Sequence, residues 1–202
     1  MSLKFSFLMV AMTVALAGTI YGQADQKAPE FSALDANGQK HTLSQYKGKV
    51  VVLEFTNPGS PTTGKPGCPY MVPRYEHKIM QGIAAKVQEK GGVYLAVNSA
   101  FYNTPADTKA VMQKYGFTYP TLMDQEGTIA RAYHAKTTPH MFVIGIDGQL
   151  VYQGALDGNA TPDTSQEAAS EQYVLEAVDA AVAGKAPRIA RTQPYGCAVK
   201  LK

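Results

Sequence analysis

The chain has 202 residues, with 19 Lys and Arg against 16 Asp and Glu, and only two cysteines. A formal charge of +3 is too small to mark a nucleic-acid binder, and two cysteines exclude a disulfide-rich scaffold and fall short of a zinc set. The length suits one domain with its own core.

The N-terminus reads as an export signal. Lys4 precedes an almost wholly apolar stretch, Phe5 to Ala17, and no charge follows until Asp25. That core is shorter than the roughly 20 residues of a spanning helix. Gly22 and Ala24 suit cleavage after Ala24, with Ala15 and Ala17 as a second site. Residues 1–24 are therefore read as a signal peptide in preference to a membrane anchor. A secreted or periplasmic protein is expected, with no stable membrane insertion after cleavage. An oxidising compartment would permit one bridge, Cys68 to Cys197.

Phe31 to Leu43 reads as a hairpin turning at Asn37-Gly38. Val50 to Phe55 is too continuously apolar for a half-exposed strand and predicts a central one. The loop 57–67 is long for an α/β connection and rich in Pro and Gly. A helix is expected from Pro69 to Lys90, with an apolar stripe at Tyr75, Ile79, Ile83 and Val87 and a bend at Pro73. Val93 to Val97 is a second buried strand. Thr104-Pro105 starts the next helix and Gly116 stops it. Tyr119 to Met123 predicts a short strand, followed by a helical turn at Thr128 to Tyr133.

His140 to Ile144 and Leu150 to Gln153 form a second hairpin across Asp147-Gly148. Thr164-x-x-Glu167 reads as a capping box opening a last helix that ends at Gly184. This order predicts an α/β layer sandwich over residues 25–184. A tail follows, 185–202, carrying Lys185, Arg188, Arg191, Lys200, Lys202 and Cys197 but no acid. It reads as a solvated segment.

Chemistry concentrates at Cys68-Pro69. Pro favours the first helical position, so Cys68 is expected to be the N-cap. There the free N–H groups and the helix dipole favour a thiolate, the form that attacks disulfides and peroxides. The competing role for a free Cys is that of a small buried hydrophobe. His41, His77, His134 and His140 share no ligand spacing, and no phosphate or dinucleotide fingerprint occurs. No cofactor and no metal are expected. Asp124, Glu126 and Asp157 read as turn residues.

Further features carry a resemblance. They are Ala28-Pro-Glu-Phe31, the Asn37-Gly38 hairpin, Gly48-Lys49 before a Val-rich strand, Cys68-Pro69, Thr138-Pro139 before a strand, and Asp147-Gly148. In this order and spacing the chain resembles the redoxin branch of the thioredoxin superfamily, which includes the alkyl hydroperoxide reductase/thiol-specific antioxidant (AhpC/TSA) proteins. The ending Tyr195-Gly196-Cys197-Ala-Val-Lys200 resembles the tail of a peroxiredoxin-like subgroup.

The resemblance implies a thioredoxin-like fold: a central mixed β-sheet flanked by helices, with an N-terminal β-hairpin. It also implies a cis Pro139 facing the cysteine, with Thr138 and Pro139 holding an incoming substrate and His140 beside them. Cys68 would attack a peroxide, or a disulfide carried by a protein or a small molecule. Cys197 or an external thiol reductant would then resolve the product. In the alternative, the domain is a non-catalytic binding module and Cys68–Cys197 is a structural bridge.

Two departures matter. Met71 stands where thioredoxins carry a second Cys. Lys65 and Pro139 occupy the places of the Thr and Arg that position peroxide in typical peroxiredoxins, so slower peroxide reduction is expected. Thr62, Thr63 and Arg131 are the candidates to substitute.

Overall fold

The continuous apolar runs become the middle of a five-stranded sheet. A computed structural model describes residues 26–202; the segment read as a signal peptide lies outside the described residues. In chain order the elements are β1 (Ser32–Leu34), β2 (Lys40–Thr42), β3 (Val51–Thr56), α1 (Val72–Glu76), α2 (Ile79–Glu89), β4 (Val93–Asn98) and α3 (Pro105–Tyr115). They continue with β5 (Thr121–Met123), α4 (Thr128–Ala132), β6 (Thr137–Thr138), β7 (His140–Ile144), β8 (Leu150–Gly154), α5 (Tyr173–Val182) and β9 (Cys197–Ala198).

The main sheet runs β5-β4-β3-β7-β8. β3 is parallel to β4, and β4 to β5, while β3–β7 and β7–β8 are antiparallel. The sheet is therefore mixed, with helices on both faces, as the resemblance implies. All six residues of β3 are buried. Side chains alternate along a strand, so Val52 faces one core with α2 and α5, while Val51, Leu53 and Phe55 face a second with Phe31, Ile129 and Tyr133. Each such side chain stabilises the fold by about 1.5–3 kcal/mol when fully buried, so a strand without polar alternation takes the centre.

The N-terminal hairpin forms at the expected turn. Asp35 Oδ1 accepts from the N–H groups of Asn37 and Gln39, and Gly38 takes φ +84°. Thr104 caps α3, accepting from Asp107 N, and Gly116 ends it at φ +65°.

Three local expectations are corrected. The Pro69–Lys90 helix is two helices, and the break is not at Pro73. Pro73 sits in the first turn of α1, where a missing N–H costs nothing. The chain turns instead at Lys78, with φ +61°. Gln81 Nε2 bonds the carbonyls of Tyr75 and Tyr115 there and holds the corner.

Thr164–Glu167 makes no capping box. Asp163 caps a separate 3-10 turn, Thr164–Ala169, and the Glu167 carboxylate is taken by Arg74.

The tail is not simply solvated. Val199 and Leu201 pack against the Phe55 core, Arg188 pairs with Glu171 and Glu176, and Lys202 pairs with Glu126. Among the described residues, no helix is long and apolar enough to cross a membrane.

Candidate redox site

β3 delivers the chain to the site. Beyond Thr56 the loop folds back on itself: Ser60 N bonds Lys65 O at 2.9 Å, and a Cβ on Gly67 would stand 2.7 Å from the Pro58 carbonyl oxygen. This close approach needs glycine. It brings Cys68 back to the strand end, where Cys68 N bonds Asn57 O at 2.9 Å.

The Cys68 carbonyl accepts from the N–H groups of Met71 and Val72. A turn over Pro69–Met71 thus leads into α1, whose N-cap is Met71 rather than Cys68. The expected N-cap position is corrected by three residues, because Pro69 and Pro73 both constrain the first turns.

The Cys68 sulfur donates to the Thr138 carbonyl at 2.9 Å. The Thr138–Pro139 bond is cis. Thr137 and Thr138, which form β6, pair with the tail strand β9, with Thr138 opposite Cys197. This pairing packs Cys197 against the core cluster that holds Cys68, and both are free thiols. Burial, then the adjoining Cys68 sulfur, push the Cys197 thiol up to about 11. Cys68 is only 2 % exposed, whereas Cys197 is half-buried.

His140 is not brought to the sulfur. It packs on Phe142 at 4.4 Å between centroids and so lies on the sheet face of Phe142, opposite the core that holds Cys68. Burial holds its imidazole down at about 4, a neutral ring at ordinary pH. Thr62 and Thr63 are exposed, and Arg131 donates to the Glu126 carbonyl.

Sequence reasoning missed the arginine that the site does contain. Arg74, on α1, is 0 % exposed. Nε and Nη2 grip Glu167 at 2.8 and 3.1 Å, Nη2 also reaches Asn159 O at 2.9 Å, and Nη1 bonds Tyr70 O at 2.8 Å and Thr161 O at 3.1 Å. The planar guanidinium uses every N–H it has. It also lies 5.5 Å from the Tyr195 ring centroid, and the Tyr195 hydroxyl donates to Asp157 at 2.8 Å. Burial first, then the neighbouring Glu167 carboxylate, push Asp157 up to about 7 against the pull of Tyr195 and Arg74. This cluster ties the tail two residues before Cys197. Among the described residues, no group of His, Cys, Asp and Glu could hold a metal ion.

The AhpC/TSA family profile matches residues 24–153, a span that includes Cys68 and Pro139 but stops short of Cys197. The thiol-disulfide oxidoreductase ResA of Bacillus subtilis is 28% identical over 153 residues, which is 71% of this chain and 79% of that protein. A hypothetical protein from Sinorhizobium meliloti 1021 superposes with a TM-score of 0.71 at 24% identity, over 88% of this chain and 94% of that one. The thioredoxin domain of a thiol-disulfide oxidoreductase from Bacteroides vulgatus superposes with a TM-score of 0.50 at 18% identity, over 64% and 86%. At these identities the two structures show the fold, which is thioredoxin-like. With more than half its length matched by the family profile, the chain belongs to the AhpC/TSA family.

Proposed function

We propose that the protein is an exported thiol oxidoreductase that cycles between a Cys68/Cys197 dithiol and a Cys68–Cys197 bridge. The placement of Cys197 opposite Thr138, the residue whose carbonyl accepts from the Cys68 sulfur, carries this reading. The likeness to thiol-disulfide oxidoreductases supports disulfide exchange, and the family supports peroxide as an oxidant. With a peroxide, the Cys68 thiolate takes one oxygen and becomes a sulfenic acid while an alcohol or water leaves. The Cys197 thiol then displaces water and closes the bridge. Two external thiols return both electrons and leave joined as a disulfide. Thr138 positions the Cys68 sulfur through its carbonyl. Residues 1–24 carry the export reading and Asp25 would start the mature chain.

Intact-mass measurement after stoichiometric peroxide or glutathione disulfide tests the cycle. The wild type should lose two hydrogens with both thiols becoming unreactive. Cys68→Ser should lose all thiol-dependent activity, and Cys197→Ser should stop at a sulfenic acid or a mixed disulfide on Cys68. Wild-type activity in Cys68→Ser, or oxidised protein with no bridge between the two, contradicts it. Peroxide consumption should stay far below the roughly 10⁸ M⁻¹s⁻¹ diffusional ceiling, because Lys65 and Pro139 stand where positioning groups would be.

A further inference from the structure

An extended polypeptide that offers a cysteine to Cys68 would need a backbone edge beside the sulfur, since main-chain pairing is how a free strand edge holds an extended chain. The edge beside Cys68 is β6, and it is already occupied. Thr137 and Thr138 pair with Ala198 and Cys197 of the chain itself.

The occupant is closely fitted. Gly196 has φ +109°, and a Cβ there would stand 2.2 Å from the Thr138 carbonyl oxygen and 3.2 Å from Pro139 Cδ. No other residue could lie so flat on this loop. The segment is tied on both sides: Tyr195 to Asp157 at 2.8 Å, Val199 N to Lys136 O at 3.1 Å, and Phe101 N to Lys200 O at 3.1 Å. Behind it Cys68 is nearly inaccessible, while Cys197 keeps a partly exposed surface.

We propose that Tyr195–Ala198 is a fixed closing strand that restricts the Cys68/Cys197 pair to small-molecule thiols and disulfides and shuts out polypeptide chains. This rests on the thiol-oxidoreductase reading above and names its substrate class. A small disulfide reaches the pair without the strand leaving, accepts two electrons and two protons from the two thiols, and departs as two small thiols while the bridge forms. A chain can react only in the fraction of molecules whose β6 edge is free, and its rate scales with that fraction.

The test compares glutathione disulfide with insulin as oxidants of the reduced full chain, following bridge formation by mass. Wild type should react with glutathione disulfide and, per disulfide, on the order of tenfold or more slowly with insulin. Gly196→Ala and Tyr195→Ala, which dislodge the strand, should each gain on the order of tenfold with insulin, as expected if the free-edge fraction limits the rate. Each variant is assayed where its urea transition shows it folded, because an unfolded chain would expose both thiols, and a gain present only in unfolded chain counts against the proposal. Equal wild-type rates with the two oxidants, or no gain in either variant, overturn the proposal. Reaction with neither oxidant in wild type removes the oxidoreductase reading itself.

Discussion

Arg74 and Tyr75 are neighbours on α1, and each anchors a buried acid in a different way. Arg74 grips Glu167 with a guanidinium, and Asp157 lies 3.8 Å from the same cation. Tyr75 donates to Glu54 on β3, whose other oxygen accepts from Tyr94 at 2.8 Å. Among the described residues no cation pairs with Glu54. Burial therefore dominates and pushes its carboxyl up to about 7, with the hydroxyls pulling against it. One cluster is held by charge and the other by hydroxyl groups. The first sits at the tail and fixes where Cys197 stands; the second sits inside the sheet core. Each cluster holds one acid pushed up to about 7, Asp157 beside the cation and Glu54 among hydroxyls, so burial outweighs either kind of partner at that carboxyl.

The largest test breaks the charged cluster. Arg74→Met leaves Glu167 and Asp157 buried without their cation and should cost about 3–5 kcal/mol, read as a lower urea midpoint. It should also free the tail, so that Cys68 alkylates faster in the native state. A loss under about 1 kcal/mol would place Arg74 with ordinary surface pairs and dissolve the contrast.

The next test addresses the uncharged cluster. Glu54 titrates at about 7 when folded against 4.5 as its ordinary value. A raised carboxyl binds its proton more tightly in the native state. Its contribution to stability is therefore complete below pH 4.5, falls as pH rises through about 7 and then levels off, by about 3 kcal/mol in all at roughly 1.4 kcal/mol per unit. Glu54→Gln cannot titrate, so it should gain that much on wild type between pH 4.5 and values above 7. Thermal unfolding across this range checks it, and a pH-independent difference would show that Glu54 is ionised throughout.

The smallest effects come from single hydroxyls. Tyr94→Phe and Tyr195→Phe should each cost about 1–2 kcal/mol. Only Tyr195→Phe should quicken Cys68 alkylation, because only that hydroxyl ties the tail. Equal labelling rates in the two variants would separate the Arg74 cluster from control of the thiol pair.

Features that depend on neighbours along the chain were legible in the amino-acid order. Val50–Phe55 announced a central strand by lacking alternation. Thr104-Pro105 and Gly116 bounded α3 by side-chain capping and a left-handed stop, and Asn37-Gly38 placed a turn. Cys68-Pro69 and Thr138-Pro139 marked the two sides of the site through local backbone restrictions.

The remaining features depend on partners far along the chain. Arg74 carries no periodic signal that it is buried, since its carboxylate partner stands at Glu167 and its ring partner at Tyr195. Glu167 read as a cap because a local N–H was the only partner visible, and a guanidinium outcompetes it. Lys78 took the helix break because the carbonyls of Tyr75 and Tyr115 are held there by Gln81, not because of its own propensity. His140 reads as adjacent to Pro139, yet strand alternation sends successive side chains to opposite faces, and only the packed sheet shows which face holds the sulfur. Cys197 meets Cys68 because the tail pairs with β6, a contact whose closure entropy is offset by burial and hydrogen bonds at several separate points, none of which a reading of the tail's own residues contains.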